Sequence, residues 1–315
     1  NLKFNNHNHN GDTPGTIVIN QADNTTIVNN TINTTQTGDN SYGIHLIEAN
    51  NNQITGNTII TTGNGSGTAT GGNGNFNYGI YLEESSNNVF ESNSIKTTGT
   101  SADIDWSDWM NGGIYATLGL NLDYSSSYNE FINNTITTDY NDVVTDYDYD
   151  SLLGVHIHTD CCYNTIANNI INTNGNTYVY GLEVVGGTDT ADNNTISGNT
   201  INTTGVTSAT SVKVSASTKN TTITGNKVQT TADDFAYGIY LENYGGLENV
   251  TVTSNKVTTI GNINYAIELF CADSNTVTNN ILVGTGSYSM GIGTYYSNNN
   301  TISHNTITTI GDNSA

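Results

Sequence analysis

One short frame, apolar-x-x-Asn-x-apolar, recurs ten times along this chain, so its fold must offer ten copies the same surroundings. Residues 51–59 read NNQITGNTI, 193–201 read NNTISGNTI and 299–307 read NNTISHNTI. The frame's asparagines are Asn30, Asn57, Asn93, Asn134, Asn169, Asn199, Asn226, Asn255, Asn280 and Asn305, at intervals of 25 to 41 residues. A second block, YGI, stands upstream at 42–44, 78–80 and 237–239, and variants of it precede most other frames. Self-similarity at this period is the mark of a solenoid, in which each unit buries its apolar face against its neighbours.

Within each block apolar and polar residues alternate, which is the strand period rather than the helical one. Ile44, Ile80, Ile114, Val155, Leu182, Val212, Ile239, Ile267 and Ile292 are expected to point inward from the first strand of successive units. Pairs such as Ile54 with Ile59 and Ile302 with Ile307 do so from the next two strands. Strands of one polarity, joined by turns of one to three residues, pair in parallel with their counterparts one coil later. Like residues then stack at about 4.8 Å. Stacked asparagines bond amide to amide, as in cross-β assemblies, and turn asparagines tolerate left-handed backbone. The ten-membered asparagine file is therefore architectural. The expected fold is all-β: a right-handed parallel β-helix of about ten coils with three short strands each. It forms a single domain over residues 1–315, with 1–15 as lead-in or cap and 16–311 as coils.

A hydrophobic content of 34% suits a thin core running the length of such a rod. Six lysines, no arginine and 28 acids leave a net charge of −22. That balance excludes nucleic acid and anionic membrane surfaces, which need a cationic face. No membrane-spanning run is present, so direct membrane insertion is not expected. Cys161, Cys162 and Cys271 form no disulfide framework, because the register sets Cys271 about 19 Å from the pair. All three are expected as small buried hydrophobes. Sequons begin at Asn24, Asn29, Asn33, Asn64, Asn133, Asn193, Asn202, Asn220, Asn249 and Asn299 and fit an exported chain.

These repeats resemble the pectate-lyase-like β-helix superfamily. More closely, over roughly residues 16–311, the chain is similar to the Asn/Thr-rich adhesin-like surface proteins of methanogenic archaea and their bacterial relatives. The resemblance implies an extracellular, cell-surface location and a polysaccharide, a surface glycan or another surface protein as partner. The superfamily's lyases place Arg or Lys beside the abstracted proton, and here arginine is absent. The Arg-x-Lys and Gly-His-Gly blocks of its hydrolases and the Asp-Pro-His pattern of its uronate epimerases are absent too.

Three long insertions, at 63–77, 99–112 and 139–152, precede first strands and emerge at one corner. The second contains DIDWSDW with Trp106 and Trp109, and the third contains DYNDVVTDYDYD. Aromatic rings stack on sugar faces and carboxylates accept sugar hydroxyls, so these loops either contact a glycan or pack onto the solenoid. Asp103, Asp105 and Asp108, as D-x-D-x-x-D, and Asp146, Asp148 and Asp150, as D-x-D-x-D, offer hard oxygens that suit calcium, though neither run has the glycine and terminal glutamate of an EF-hand loop; no other cofactor is implied. His156 and His158, two apart on one strand face, lack an evident third metal ligand.

The first strand gives two outward columns. One is His45, Tyr81, Tyr115, His156, Glu183, Lys213, Tyr240, Glu268 and Gly293. The other is Ile47, Glu83, Thr117, His158, Val185, Ser215, Glu242, Phe270 and Tyr295. Tyr81, Glu83, Trp106, Trp109, Tyr115, His156, His158 and Glu183 are the expected ligand contacts of a non-catalytic binding face. Glu183 and Lys213 are expected as a surface ion pair. The alternative is a glycoside hydrolase using Glu242 and Glu268, with hydrolysis favoured over elimination. Against it, an exposed strand should raise the pKa of neither carboxyl. Repeat sequence runs to both ends, so further coils or an end-to-end partner are expected.

Overall fold

The computed structural model describes residues 3–5, 15–36, 41–63, 77–99, 117–140, 151–187, 189–243 and 246–313, and every structural statement below concerns these. After the opening strands Lys3–Asn5 and Ile17–Asn20, each coil carries a long strand, a three-residue strand and a strand of five or six residues, as in Ser41–Ile47, Gln53–Thr55 and Thr58–Gly63. Every strand pairs in parallel with its equivalent one coil on: Ile44 with Ile80, Ile54 with Phe90, Ile59 with Ile95. The result is a right-handed parallel β-helix whose three sheets hold 11, 10 and 10 strands. β-Branched and leucine side chains from all three sheets fill one continuous core, in which Phe90 and Phe131 stack at 4.5 Å.

One coil is registered differently from the expectation. Leu120, not Ile114, stands on the inward rung between Ile80 and Val155. Asn121 and Asp123 therefore occupy the outward rungs expected for Tyr115 and Thr117, and Thr117 pairs with Asn77 at the start of the strand. The block Gly113-Ile114-Tyr115 imitates the repeat, but Leu120 and Leu122 fill two inward rungs that Ile114 and Ala116 would underfill. A void of that size costs more than a longer loop.

The asparagine file is continuous from Asn30 to Asn305. Each side-chain Nδ2 donates to Oδ1 of the next coil, from 3.2 Å at Asn30–Asn57 to 2.9 Å at Asn226–Asn255. That Oδ1 also accepts the backbone N–H one coil back, and Nδ2 reaches a backbone carbonyl, as Asn169 does to Phe131 O at 2.8 Å. The bend itself belongs to the residue before each asparagine, a correction to the sequence reading. Asn29, Gly56, Ser92, Asn133, Asn168, Gly198, Gly225, Ser254, Asn279 and His304 all have φ between 54° and 66°. The left-handed residue turns the chain, and the next side chain can then point in and lie along the axis. A second file, not foreseen, runs Asn52, Asn88, Asn129, Asn164 and Asn194 at the preceding turn. It lapses at Thr221 and Val250 and resumes at Asn275 and Asn300.

No disulfide joins the cysteines; Cys161 is buried, whereas Cys162 and Cys271 are only half-buried, contrary to the expectation of three core thiols. Cys162 lies on a turn, where its Sγ accepts the N–H of Asp192 at 3.2 Å.

The ladder gives a direct test. Asn169 makes side-chain bonds to Asn134 N, Asn134 Nδ2, Phe131 O and Asn199 Oδ1. Asn169→Ala orphans buried partners at about 1–3 kcal/mol each, so a loss on the order of 3 kcal/mol or more is expected in denaturant unfolding. Thr200→Ala on the neighbouring outer surface should change stability by less than about 0.5 kcal/mol. Equal effects would show that the ladder is incidental.

Candidate functional site

The outer face of the long-strand sheet gathers the chain's unusual side chains, and glycine decides which of them face out. A Cβ on Gly43 would lie 2.4 Å from Ile59 Cγ2 and 2.5 Å from Gly79 O. Gly43 and Ile44 thus both face the core, alternation breaks, and Tyr42 points outward beside His45. The break repeats, producing an outer file that strict alternation misses: Tyr42, Tyr78, Leu118, Leu153, Tyr180, Thr210, Tyr237, Tyr265 and Met290. Its signal was in view, since Tyr42, Tyr78 and Tyr237 are the first letters of the YGI blocks.

In the N-terminal half this face is buried rather than open. Tyr42, Tyr78, Tyr81, Leu118 and Leu153 form a second apolar cluster outside the solenoid core. Tyr81 stacks on His45 at 4.8 Å and meets Tyr42 and Tyr78 edge-on. Glu83 stands 3.3 Å from His45 Nε2. His156 and His158 are side by side at 5.1 Å, but each Nδ1 is engaged, with Asn121 Oδ1 at 3.0 Å and Asp123 Oδ1 at 2.9 Å. Burial, helped by His158 and Lys213, lowers the His156 pKa to about 3, so the ring is neutral. Asn121 and Asp123, hidden from the sequence reading by the register, are the partners that orient both rings.

The C-terminal half is more open, and its charge is concentrated. Lys213 Nζ bridges Glu183 at 3.2 Å and Glu242 at 3.3 Å, and lies 5.4 Å from the centre of the Tyr180 ring. Glu183 is 2% exposed, so the ion pair expected at the surface is a buried one. Its attraction outweighs the desolvation of Lys213, whose pKa is raised. Tyr240 donates its hydroxyl to Glu242 at 2.9 Å. Tyr237 and Tyr265 stack at 5.7 Å, and Tyr265 and Tyr295 share a hydroxyl–hydroxyl bond of 2.8 Å. Glu268 is 7% exposed, and burial, reinforced by Glu242, raises its pKa to about 7. The expectation that neither carboxyl of the pair is raised is thereby corrected: the strand is not exposed at this rung, and its neighbours are rings.

Trp106, Trp109 and Tyr115, with Asp103, Asp105, Asp108, Asp146, Asp148 and Asp150, lie outside the described residues. Among the described residues no group of three or more His, Cys, Asp or Glu side chains converges as a metal site.

The fold and this face define a β-helix with one decorated sheet. No family model matches the sequence, and no curated protein matches it significantly. Among solved structures, a point mutant of the periplasmic alginate epimerase AlgG superposes with a TM-score of 0.42 at 11% identity, covering 90% of this chain and 77% of that one. A further structure of the same epimerase gives 0.35 at 12% identity, covering 89% and 77%. At these scores the likeness carries nothing about activity.

The raised carboxyl sets a pH dependence. Between pH about 4.5 and 7 the native state holds a proton on Glu268 that the unfolded chain has released, so this group's contribution to stability falls as pH rises through that window and is level above it. His156, with its lowered pKa, acts in the opposite sense below pH about 6.5. Glu268→Gln isolates the first effect. At pH 8 the variant should be more stable than wild type by on the order of 1 kcal/mol, after allowance for solvent screening, and the advantage should vanish near pH 4. A difference independent of pH would contradict the assignment.

Proposed function

We propose that this chain is an extracellular, cell-surface β-helix module that binds polysaccharide or surface glycan on the outer face of its long-strand sheet, without chemistry of its own. The observation that carries the reading is the tyrosine file of the C-terminal half set among carboxylates. Tyr237, Tyr240 and Tyr265 are half-buried, Tyr295 and Tyr296 are exposed, and Glu242 and Glu268 lie between them. Such a face offers ring edges and faces to sugar C–H groups, and phenol and carboxylate oxygens to sugar hydroxyls. The net charge of −22 and the similarity to adhesin-like surface proteins favour the same reading. Of the contacts expected from sequence, Glu183 adjoins this patch through Lys213, while Tyr81, Glu83, His156 and His158 belong to the more buried half. Trp106, Trp109 and Tyr115 remain proposed contacts, and Asp103, Asp105 and Asp108 a proposed calcium loop.

A second reading, glycoside hydrolysis, is favoured by one observation. Burial and the neighbouring Glu242 raise the Glu268 pKa to about 7, as a general acid requires, and a second carboxyl, Glu242, lies on the adjoining file beside Lys213. Binding is preferred because Glu242 is already engaged by both Lys213 and Tyr240.

A glycan array read alongside reducing-end release separates the two. Binding with no growth of product is expected. Tyr265→Ala should weaken the best ligand by up to about tenfold, since an aromatic contact contributes about 0.5–1.5 kcal/mol. Unchanged affinity would remove this face from the reading, and turnover abolished by Glu268→Gln would establish the hydrolase instead.

A further inference from the structure

On this face nearly every acid has a base. Glu83 faces His45 at 3.3 Å, Asp123 faces His158 at 2.9 Å, and Lys213 serves Glu183 at 3.2 Å and Glu242 at 3.3 Å. Glu268 breaks the rule. It is 7% exposed, no base or hydrogen-bond donor among the described residues meets its carboxyl, and its oxygens keep contact with solvent at the mouth of the rung. A carboxylate so placed either takes up a proton or awaits a cation.

Its surroundings are specific. Tyr240 is the rung before it and Gly293 the rung after. A Cβ on Gly293 would lie 2.8 Å from the ring of Tyr265 and 3.1 Å from that of Tyr295. Glycine there lets both rings close over the rung beyond Glu268, and the Tyr265–Tyr295 hydroxyl bond holds them in place. Glu242, on the neighbouring file one coil back, adds a second negative charge, felt at Glu268 as an upward push on its pKa. The charged and titratable groups around the site are thus Glu242, Lys213 beyond it, and the phenols of Tyr237, Tyr240, Tyr265 and Tyr295.

We propose that Glu268, walled by Tyr240, Tyr265 and Tyr295 and backed by Glu242, is a subsite for the ammonium group of an amino sugar. The carboxylate supplies the counter-charge, and the rings supply the π-faces and phenolic oxygens that favour an organic cation over a bare metal ion. A divalent metal would want several converging carboxylates, and no such group occurs among the described residues. The choice of an amino sugar rests on the glycan-binding reading, whereas the ammonium site itself does not.

The test compares glucosamine oligosaccharides with their N-acetylated counterparts of equal length, by calorimetry at pH 7. The free-amine series should bind at least about fivefold more tightly, and Glu268→Gln should erase that preference, weakening the free-amine series by at least about fivefold more than it weakens the acetylated one. Equal affinities in wild type, or a preference that survives Glu268→Gln, would overturn the proposal. If neither series binds, the glycan reading fails and the subsite is tested alone with tetramethylammonium, whose charge does not titrate, by following tyrosine ring resonances. Binding abolished by Glu268→Gln and strengthened about tenfold between pH 6 and pH 8, as a carboxyl raised to about 7 ionises, sustains the site. No ring perturbation overturns it.

Discussion

A buried primary amide is costly unless both its oxygen and its nitrogen find partners, and here the partner is the same residue one coil away. Asn57 takes the amide and backbone N–H of Asn30 on its oxygen, and gives its own amide to Asn93 and to Ile27 O. Apolar burial already opposes a one-residue slip, which would turn every core side chain outward, and the amide file adds a second penalty. A slip of one residue would strand a polar group in the core at every rung, so the amide file and the apolar ladders hold one and the same register, and the outer files follow from it.

Stacking like above like at about 4.8 Å is comfortable for amides, threonines and rings but hostile to charge. The long-strand sheet resolves this by alternating sign and type along a file: Asn121, neutral His156, Glu183, Lys213, Tyr240. Each carboxylate meets a base above, below or in the adjoining file. Glu268 is where that alternation ends, with Tyr240 on one side and Gly293 on the other. Function in a repeat protein is best sought at such departures, since the repeat itself is spent on architecture.

The same sheet divides along its length. Its N-terminal half has the character of a second core, with tyrosine faces consumed by other rings, as in Tyr42 on Tyr78 at 5.1 Å. Its C-terminal half leaves phenols and acids within reach of solvent. A face that looks uniform as a column of letters is thus two different surfaces.

The repeat frame by itself determined the β-helix, the axis of the asparagine file and the inward columns, because period-two patterning and identical neighbours admit one stacking. It also determined the pairing of Glu183 with Lys213, which follows from adjacency on one file. Three things were decided only in three dimensions. Leu120 displaced Ile114, because core volume outweighs motif likeness. The tyrosines of the YGI blocks turned outward, because glycine lets two successive residues face in, and no alternation rule foresees that. The pKa of Glu268 rose, because it depends on rings and charges from three different coils, and proximity across coils is a property of the wound chain rather than of any segment of it.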